Sequence, residues 1–178
     1  MPGLGTSFGR GGATTALQDL QNSDAILIMG SSMAENHPVG FKWVIDAREK
    51  GATIIHVDPR FTRTSAMADM WVPLRAGSDT VFLGAMVNFV LTHGLEFRDY
   101  VVAYTNAATI IDASYAGPED LDGLFSGWDA TTERYSPRSW AYAQDEAPDP
   151  TLQHPRSVFQ ILRRHFARYT PAMLADVC

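Results

Sequence analysis

Two apolar runs, Ala25-Ile26-Leu27-Ile28-Met29 and Thr53-Ile54-Ile55-His56-Val57, decide the fold. Each has the length and residue types of a buried strand. Asn22-Ser23-Asp24 breaks the chain before the first, Gly30-Ser31-Ser32 ends it in a turn, and Asp58-Pro59-Arg60 closes the second. Between them Pro38 suits the first turn of a helix, because it has no amide hydrogen to satisfy, and Phe41, Val44 and Ile45 fall on one face before Lys50-Gly51 stops it. A helix joining two short strands predicts a βαβ unit over residues 25–58, with a parallel strand pair and a right-handed crossover.

Working outward, residues 1–12 hold five glycines and predict a glycine-rich loop rather than a regular element. A short helix is expected over residues 13–21. On the other side Trp71-Val72-Pro73-Leu74 predicts a third extended piece, after which Ser78 is a good N-cap. The helix that follows places Phe82, Ala85, Met86, Phe89 and Val90 on one stripe, expected to be buried, and His93-Gly94 supplies its stop. Beyond Tyr104 the pattern weakens into a long irregular insertion, residues 105–155, anchored by Trp128 and Trp140. Val158, Ile161, Leu162, His165 and Phe166 mark an amphipathic helix, and Thr170-Pro171 starts another. The expected organisation is thus one α/β domain: a parallel-sheet core over 1–104, the insertion over 105–155 and a helical end over 156–178.

Composition narrows the function. A hydrophobic content of 46% in 178 residues is enough to bury a core. With 14 basic against 20 acidic residues and no basic run, nucleic acid is not an expected partner. Cys178 is the single cysteine, so this chain offers neither a disulfide framework nor the thiolates of an iron–sulfur or zinc site. The five histidines lack ligand spacing, and no metal ligand is assigned. His37 and His56 are read as capping and packing residues. No apolar run approaches the roughly 18 residues needed to span a bilayer. No serine sits in a nucleophile elbow, and no catalytic residue is assigned.

Three loops follow the carboxyl ends of the strands, where open α/β sheets bind their ligands. Gly30, Ser31 and Ser32 let a phosphate approach backbone amides, and the helix starting near Pro38 favours negative charge at its N-terminus. Asp58 can accept from ribose hydroxyls and Arg60 can meet a phosphate. Ser78 and Asp79 offer groups for the donor edge of a nucleobase. Each also has a plain reading, Asp58-Pro59 as a turn and Ser78 as a cap. Together at three strand ends they point to a nucleotide, although no G-x-G-x-x-G follows the first strand.

The segments Thr6-Ser7-Phe8-Gly9-Arg10-Gly11, Gly30-Ser31-Ser32-Met33-Ala34-Glu35-Asn36-His37-Pro38, Asp58-Pro59-Arg60-Phe61-Thr62-Arg63-Thr64 and Gly77-Ser78-Asp79 resemble, in order and spacing, the molybdopterin oxidoreductase family. Tyr104-Thr105-Asn106-Ala107, Leu124-Phe125-Ser126-Gly127-Trp128-Asp129 and Thr151-Leu152-Gln153-His154-Pro155-Arg156 narrow the resemblance to the large subunits of its formate dehydrogenases. The resemblance implies a Rossmann-like sheet, a bis-molybdopterin guanine dinucleotide carrying molybdenum or tungsten, and formate as substrate. It also implies a [4Fe-4S] cluster in the parent subunit but not in this chain. Matched motif by motif, Gly30, Ser31, Ser32, Glu35 and Asn36 would line one guanine dinucleotide, Asp58, Arg60 and Thr62 would hold its ribose and phosphates, and Gly77, Ser78 and Asp79 would meet the guanosine end.

The family's metal-ligating selenocysteine or cysteine falls just before Pro2-Gly3-Leu4-Gly5 and its cluster cysteines further upstream, so the expected role is a cofactor-holding part that is inactive alone. The implied partners are the rest of the catalytic subunit, an iron–sulfur subunit and a membrane cytochrome subunit. The implied setting is a periplasmic, membrane-associated complex, with a cytoplasmic one as the alternative. Two other readings stand beside this one: another member of the family, such as a periplasmic nitrate reductase, and a free-standing guanine-nucleotide-binding module.

Overall fold

The computed structural model describes residues 2–9, 11–13 and 15–178. The chain divides into two compact units, residues 1–77 and 78–178. In the first, strands β1 (Ala25–Met29) and β2 (Thr53–Val57) have the predicted bounds, and helix α3 (Pro38–Glu49) joins them. They pair in parallel, from Ala25 beside Thr53 to Met29 beside Val57. A third parallel strand, β3 (Met70–Val72), adds to β2, giving the order β1-β2-β3. It stops short of the Trp71–Leu74 span expected, ending before Pro73, which has no amide hydrogen to extend the ladder.

One face of this sheet carries the core. Ile26, Ile28 and Ile54 pack with Phe41, Val44 and Ala47 of α3 and with Ala52. Burying the isoleucine, valine and phenylalanine side chains stabilises by about 1.5–3 kcal/mol each, as an upper bound. Burial alternates along β1, and Leu27 on the other face is 40% exposed. Asp69 pins the entry to β3: its carboxylate accepts from the Ile54 N–H at 2.8 Å and from Arg48 Nε at 3.2 Å. Those bonds, the Ile54 amide first, hold its pKa below the usual aspartate value.

Among the described residues of the unit there are also three short α-helices and a 3-10 segment. α1 (Pro2–Phe8) overturns the loop expected from the glycines. It closes at Gly9, whose φ of +75° is the left-handed cap conformation and whose N–H reaches the Gly5 carbonyl at 2.9 Å. The expected helix over 13–21 is instead a 3-10 segment, Leu17–Asn22. α2 (Met33–Asn36) and α4 (Arg63–Met67) were not anticipated.

In the second unit α5 (Asp79–His93) ends at Gly94 as expected, with φ +62°. Its predicted stripe is not a buried one. Met86 and Phe89 are exposed, as are Leu83 and Val87, and Gly84 is the buried position of the helix. The helix is apolar all round, so periodicity could not single out the side that its neighbours cover. α6 (Arg98–Tyr104) follows within the second unit.

The irregular stretch holds a small hairpin, β4 (Trp128–Asp129) with β5 (Arg134–Tyr135). Trp128 and Trp140 anchor it as the sequence suggested. Phe125 stacks on Tyr135 at 4.1 Å, both tryptophan rings lie against Tyr135, and Trp140 Nε1 donates to the Ser126 carbonyl. α7 (Val158–Phe166) and α8 (Pro171–Val177) close the chain. Ser157 and Thr170 cap them by accepting from Gln160 and Met173 amides.

Candidate functional site

The parallel register makes Gly30 and Asp58 leave the sheet from adjacent strands. Gly30 takes φ +63°, which glycine adopts without penalty, and its N–H donates to the Val57 carbonyl at 3.0 Å. The chain then runs through Ser31 and Ser32 into α2. Ser32 Oγ donates to Glu35 Oε2 at 2.5 Å. The single turn of α2 therefore separates the Gly30 loop from the N-terminus of α3, where the sequence had placed the phosphate. Asn36 ends α2, and His37 occupies the cap position between the two helices, its N–H donating to the Met33 carbonyl while its side chain makes no cap hydrogen bond to α3.

Asp58 does form the turn of its plain reading: Oδ1 accepts from the Arg60 N–H at 2.8 Å. Thr62 caps α4 through a reciprocal box, accepting from the Thr64 N–H at 3.2 Å while its own N–H donates to Ser65 Oγ at 2.8 Å. Thr64 Oγ1 accepts from the Ala34 N–H at 3.0 Å and so ties α4 to α2.

An open cleft of about 460 Å³ lies over this edge, lined by Glu35, Arg60, Phe61, Thr62, Arg63 and Ala66. It brings together three predicted site residues, Glu35, Arg60 and Thr62. Gly30, Ser31, Ser32, Asn36 and Asp58 lie outside its wall. Phe61 and Arg63 are additions. Arg63 Nε stands 3.7 Å from Glu35 Oε1, and Phe61 meets Trp71 edge-on at 5.2 Å. The spacing Arg60-Phe61-Thr62-Arg63 could have flagged Arg63, since both cations flank the helix cap.

Beneath the edge, His56 is fully buried on the α3 face, consistent with its reading as a packing residue. It is also bonded at both ring nitrogens, Nδ1 to Ser65 Oγ at 2.8 Å and Nε2 to the Ser31 carbonyl at 3.2 Å. Asp58 Oδ2 is 3.9 Å from Nε2.

Gly77, with φ +90°, ends the first unit. Ser78 and Asp79 open the second. Ser78 is buried at the N-cap of α5, where its side chain does not make the cap hydrogen bond, and Asp79 is exposed on the first turn.

The second unit has an apolar cavity of its own, also about 460 Å³, walled chiefly by Phe125, Trp140, Tyr142, Ile161 and Leu162. Nearby Glu119 pairs with Arg168 and, at 3.3 Å, with His165. Among the described residues, no group of three or more His, Cys, Asp or Glu side chains could hold a metal ion.

A parallel β1-β2-β3 sheet with its loops gathered at the carboxyl edge defines an α/β protein of the open-sheet class. The sequence model of the molybdopterin oxidoreductase family matches residues 5–110, and the chain belongs to that family. Over 98% of its length it is 49% identical to the formate dehydrogenase subunit alpha of Megalodesulfovibrio gigas, and it covers 17% of that protein. It is 43% identical, with the same two coverages, to the formate dehydrogenase-O major subunit of Escherichia coli (strain K12). The chain therefore spans about 17% of the length of these relatives. Among solved structures, acetylene hydratase from Pelobacter acetylenicus superposes on 90% of the chain with a TM-score of 0.53 at 17% identity, covering 17% of that chain. That likeness concerns the fold. Membership of the family implies a molybdopterin cofactor.

Proposed function

We propose that this chain is part of the catalytic subunit of a molybdenum- or tungsten-dependent formate dehydrogenase, and that its sheet edge helps hold a bis-molybdopterin guanine dinucleotide. The 49% identity to a formate dehydrogenase subunit alpha along 98% of the chain carries this reading. The edge residues fit the organic part of such a cofactor. Arg60 and Arg63 offer guanidinium forks to phosphate oxygens at the cleft. Asp58 keeps Oδ2 for a ribose hydroxyl while Oδ1 holds its own turn. Gly30 permits the tight turn, Ser31, Ser32 and Asn36 contribute polar groups around it, Glu35 orients Arg63, and Thr62 fixes the start of α4. The family resemblance adds Gly77, Ser78 and Asp79 for the guanosine. When bound, the metal would supply the two-electron oxidation of formate, and the family resemblance implies a [4Fe-4S] cluster of the parent subunit as the electron acceptor. The same resemblance extends to the partners, an iron–sulfur subunit and a membrane cytochrome subunit, and to a periplasmic location.

The test is purification of the complete subunit with metal analysis and a formate-dependent dye-reduction assay. Formate oxidation with one molybdenum or tungsten per subunit is the expected result, and the Arg60→Gln/Arg63→Gln pair should lower metal occupancy through lost cofactor. Nitrate reduction without formate oxidation overturns the assignment. Full occupancy in the double variant overturns the site.

A further inference from the structure

The buried His56 is a group that the cofactor reading leaves without a role. Its hydrogen bonds can be assigned directions. Nε2 faces a carbonyl, which only accepts, so Nε2 carries the proton and donates to Ser31 O at 3.2 Å. Ser65 Oγ already accepts from the Thr62 N–H at 2.8 Å, and its hydroxyl hydrogen is free to donate to His56 Nδ1 at 2.8 Å. The result is one directed chain: Thr62 N–H to Ser65, Ser65 to His56, His56 to Ser31. It links the cap of α4, the end of β2 and the Gly30 loop, and each end bears on a predicted cofactor contact.

The consequence at Ser31 follows from peptide geometry. The Ser31 carbonyl and the Ser32 N–H belong to one planar trans peptide and point in opposite directions. A carbonyl held inward by a buried imidazole therefore turns the Ser32 N–H away from the core. Among the hydrogen bonds of the described residues, that N–H has no protein acceptor.

We propose that His56 is a positioning residue: through Ser31 it fixes the Gly30–Ser32 turn so that the Ser32 amide is presented to an anionic acceptor, a phosphoryl oxygen of the cofactor. This deepens the cofactor reading, and only the identity of the acceptor rests on it. The Ser31 carbonyl sets the tautomer, Ser65 accommodates it as donor, and Asp58 is the one charged group facing the ring among the described contacts.

Three measurements on the full chain test the role. The nitrogen-15 spectrum of His56 should show the proton on Nε2 with Nδ1 as the acceptor; the reverse arrangement, with Nδ1 protonated and Nε2 bare, overturns the proposal. His56→Val removes both ring bonds, and exchange of the Gly30 and Ala34 amides, which flank the turn and are bonded to the Val57 carbonyl and to Thr64 Oγ1, should accelerate by about tenfold, as expected for one net hydrogen bond, while Ile28 and Ile55 change by less than about twofold. His56→Gln, whose side chain can both donate and accept, should restore slow exchange even if the valine variant folds poorly. Uniform acceleration across the strands, or no rescue by glutamine, overturns a positioning role. Titration with GDP should shift the Ser32 amide in the parent chain and less in His56→Val. A parent chain whose sheet edge ignores GDP counts against the cofactor reading, and the tautomer and exchange results still decide the role of His56.

Discussion

Gly84→Ala sets two opposing effects against each other on α5. Alanine is favoured over glycine in a helix interior by about 1 kcal/mol. A Cβ at this position, however, would stand 2.7, 2.8 and 2.9 Å from Cγ, Cδ2 and Cδ1 of Tyr169, far inside the usual contact distance of about 3.5–4.0 Å. The ring is not free to drift. The Tyr169 carbonyl accepts from Asn88 Nδ2 at 3.0 Å, its N–H donates to the Phe166 carbonyl at 3.0 Å, and its ring packs with that of Phe166 at 5.8 Å. Overpacking of this kind costs about 1–3 kcal/mol, and with the ring held the upper half of that range, about 2–3 kcal/mol, outweighs the propensity gain by about 1–2 kcal/mol. Amide exchange in α5 and α7 should then accelerate by about 5- to 30-fold. In a Tyr169→Ala background the ring is gone and the same substitution should slow exchange, because only the helix preference remains. A Gly84→Ala effect of the same sign in both backgrounds refutes the reasoning.

Two further tests address the insertion and the site edge. Asp149 accepts from Thr151 Oγ1, the Thr151 N–H, the Gln153 N–H and the His154 N–H, and these donors, the Thr151 hydroxyl first, hold its pKa down from 3.8 to about 2. The folded value lies below the unfolded one, so the stabilisation is complete above 3.8 and is lost as the pH falls through about 2. A carboxyl titration followed by carbon-13 NMR should give that low midpoint, and a value near 4 would contradict the four-donor geometry. Thr62→Ala should destabilise α4 by about 1 kcal/mol through loss of its cap while Thr62→Ser retains it, read as exchange at the Thr64 amide; equal effects of the two variants would show that the cap contributes little.

The parts of the fold that were legible in the sequence are those whose information is local. β1, β2 and α3 are each a run of suitable residues between breakers, and their bounds came out almost unchanged. α2 and α4 were not legible, because neither is long enough to show a period. α2 is held from outside, by the Ala34 amide on Thr64 Oγ1 thirty residues away. α4 depends on a box closed by Ser65 rather than by the glutamate or glutamine usual at that place. The stripe on α5 misled for the opposite reason: an apolar helix has a period-compatible face in every direction, and Gly84 records which side receives Tyr169. At the site, motif order points to Glu35, Arg60 and Thr62, which line one cleft, and that Arg63 lines it with them is a matter of distance that no motif order expresses. No spacing rule connects His56 to Ser31 and Ser65, so the sequence shows only a packing residue where the fold makes a hydrogen-bonded one.

The aromatic group around Tyr135 makes the irregular segment its own optical reporter. Phe125 and Tyr135 lie nearly parallel, 8° apart, and the Trp128 and Trp140 rings approach Tyr135 at 5.0 and 6.2 Å. Transition dipoles held that close and at fixed angles couple, so the near-ultraviolet dichroism of this chain should carry a signature of residues 125–140 as a set. It would vanish when their mutual order is lost, even where β1 to β3 remain paired.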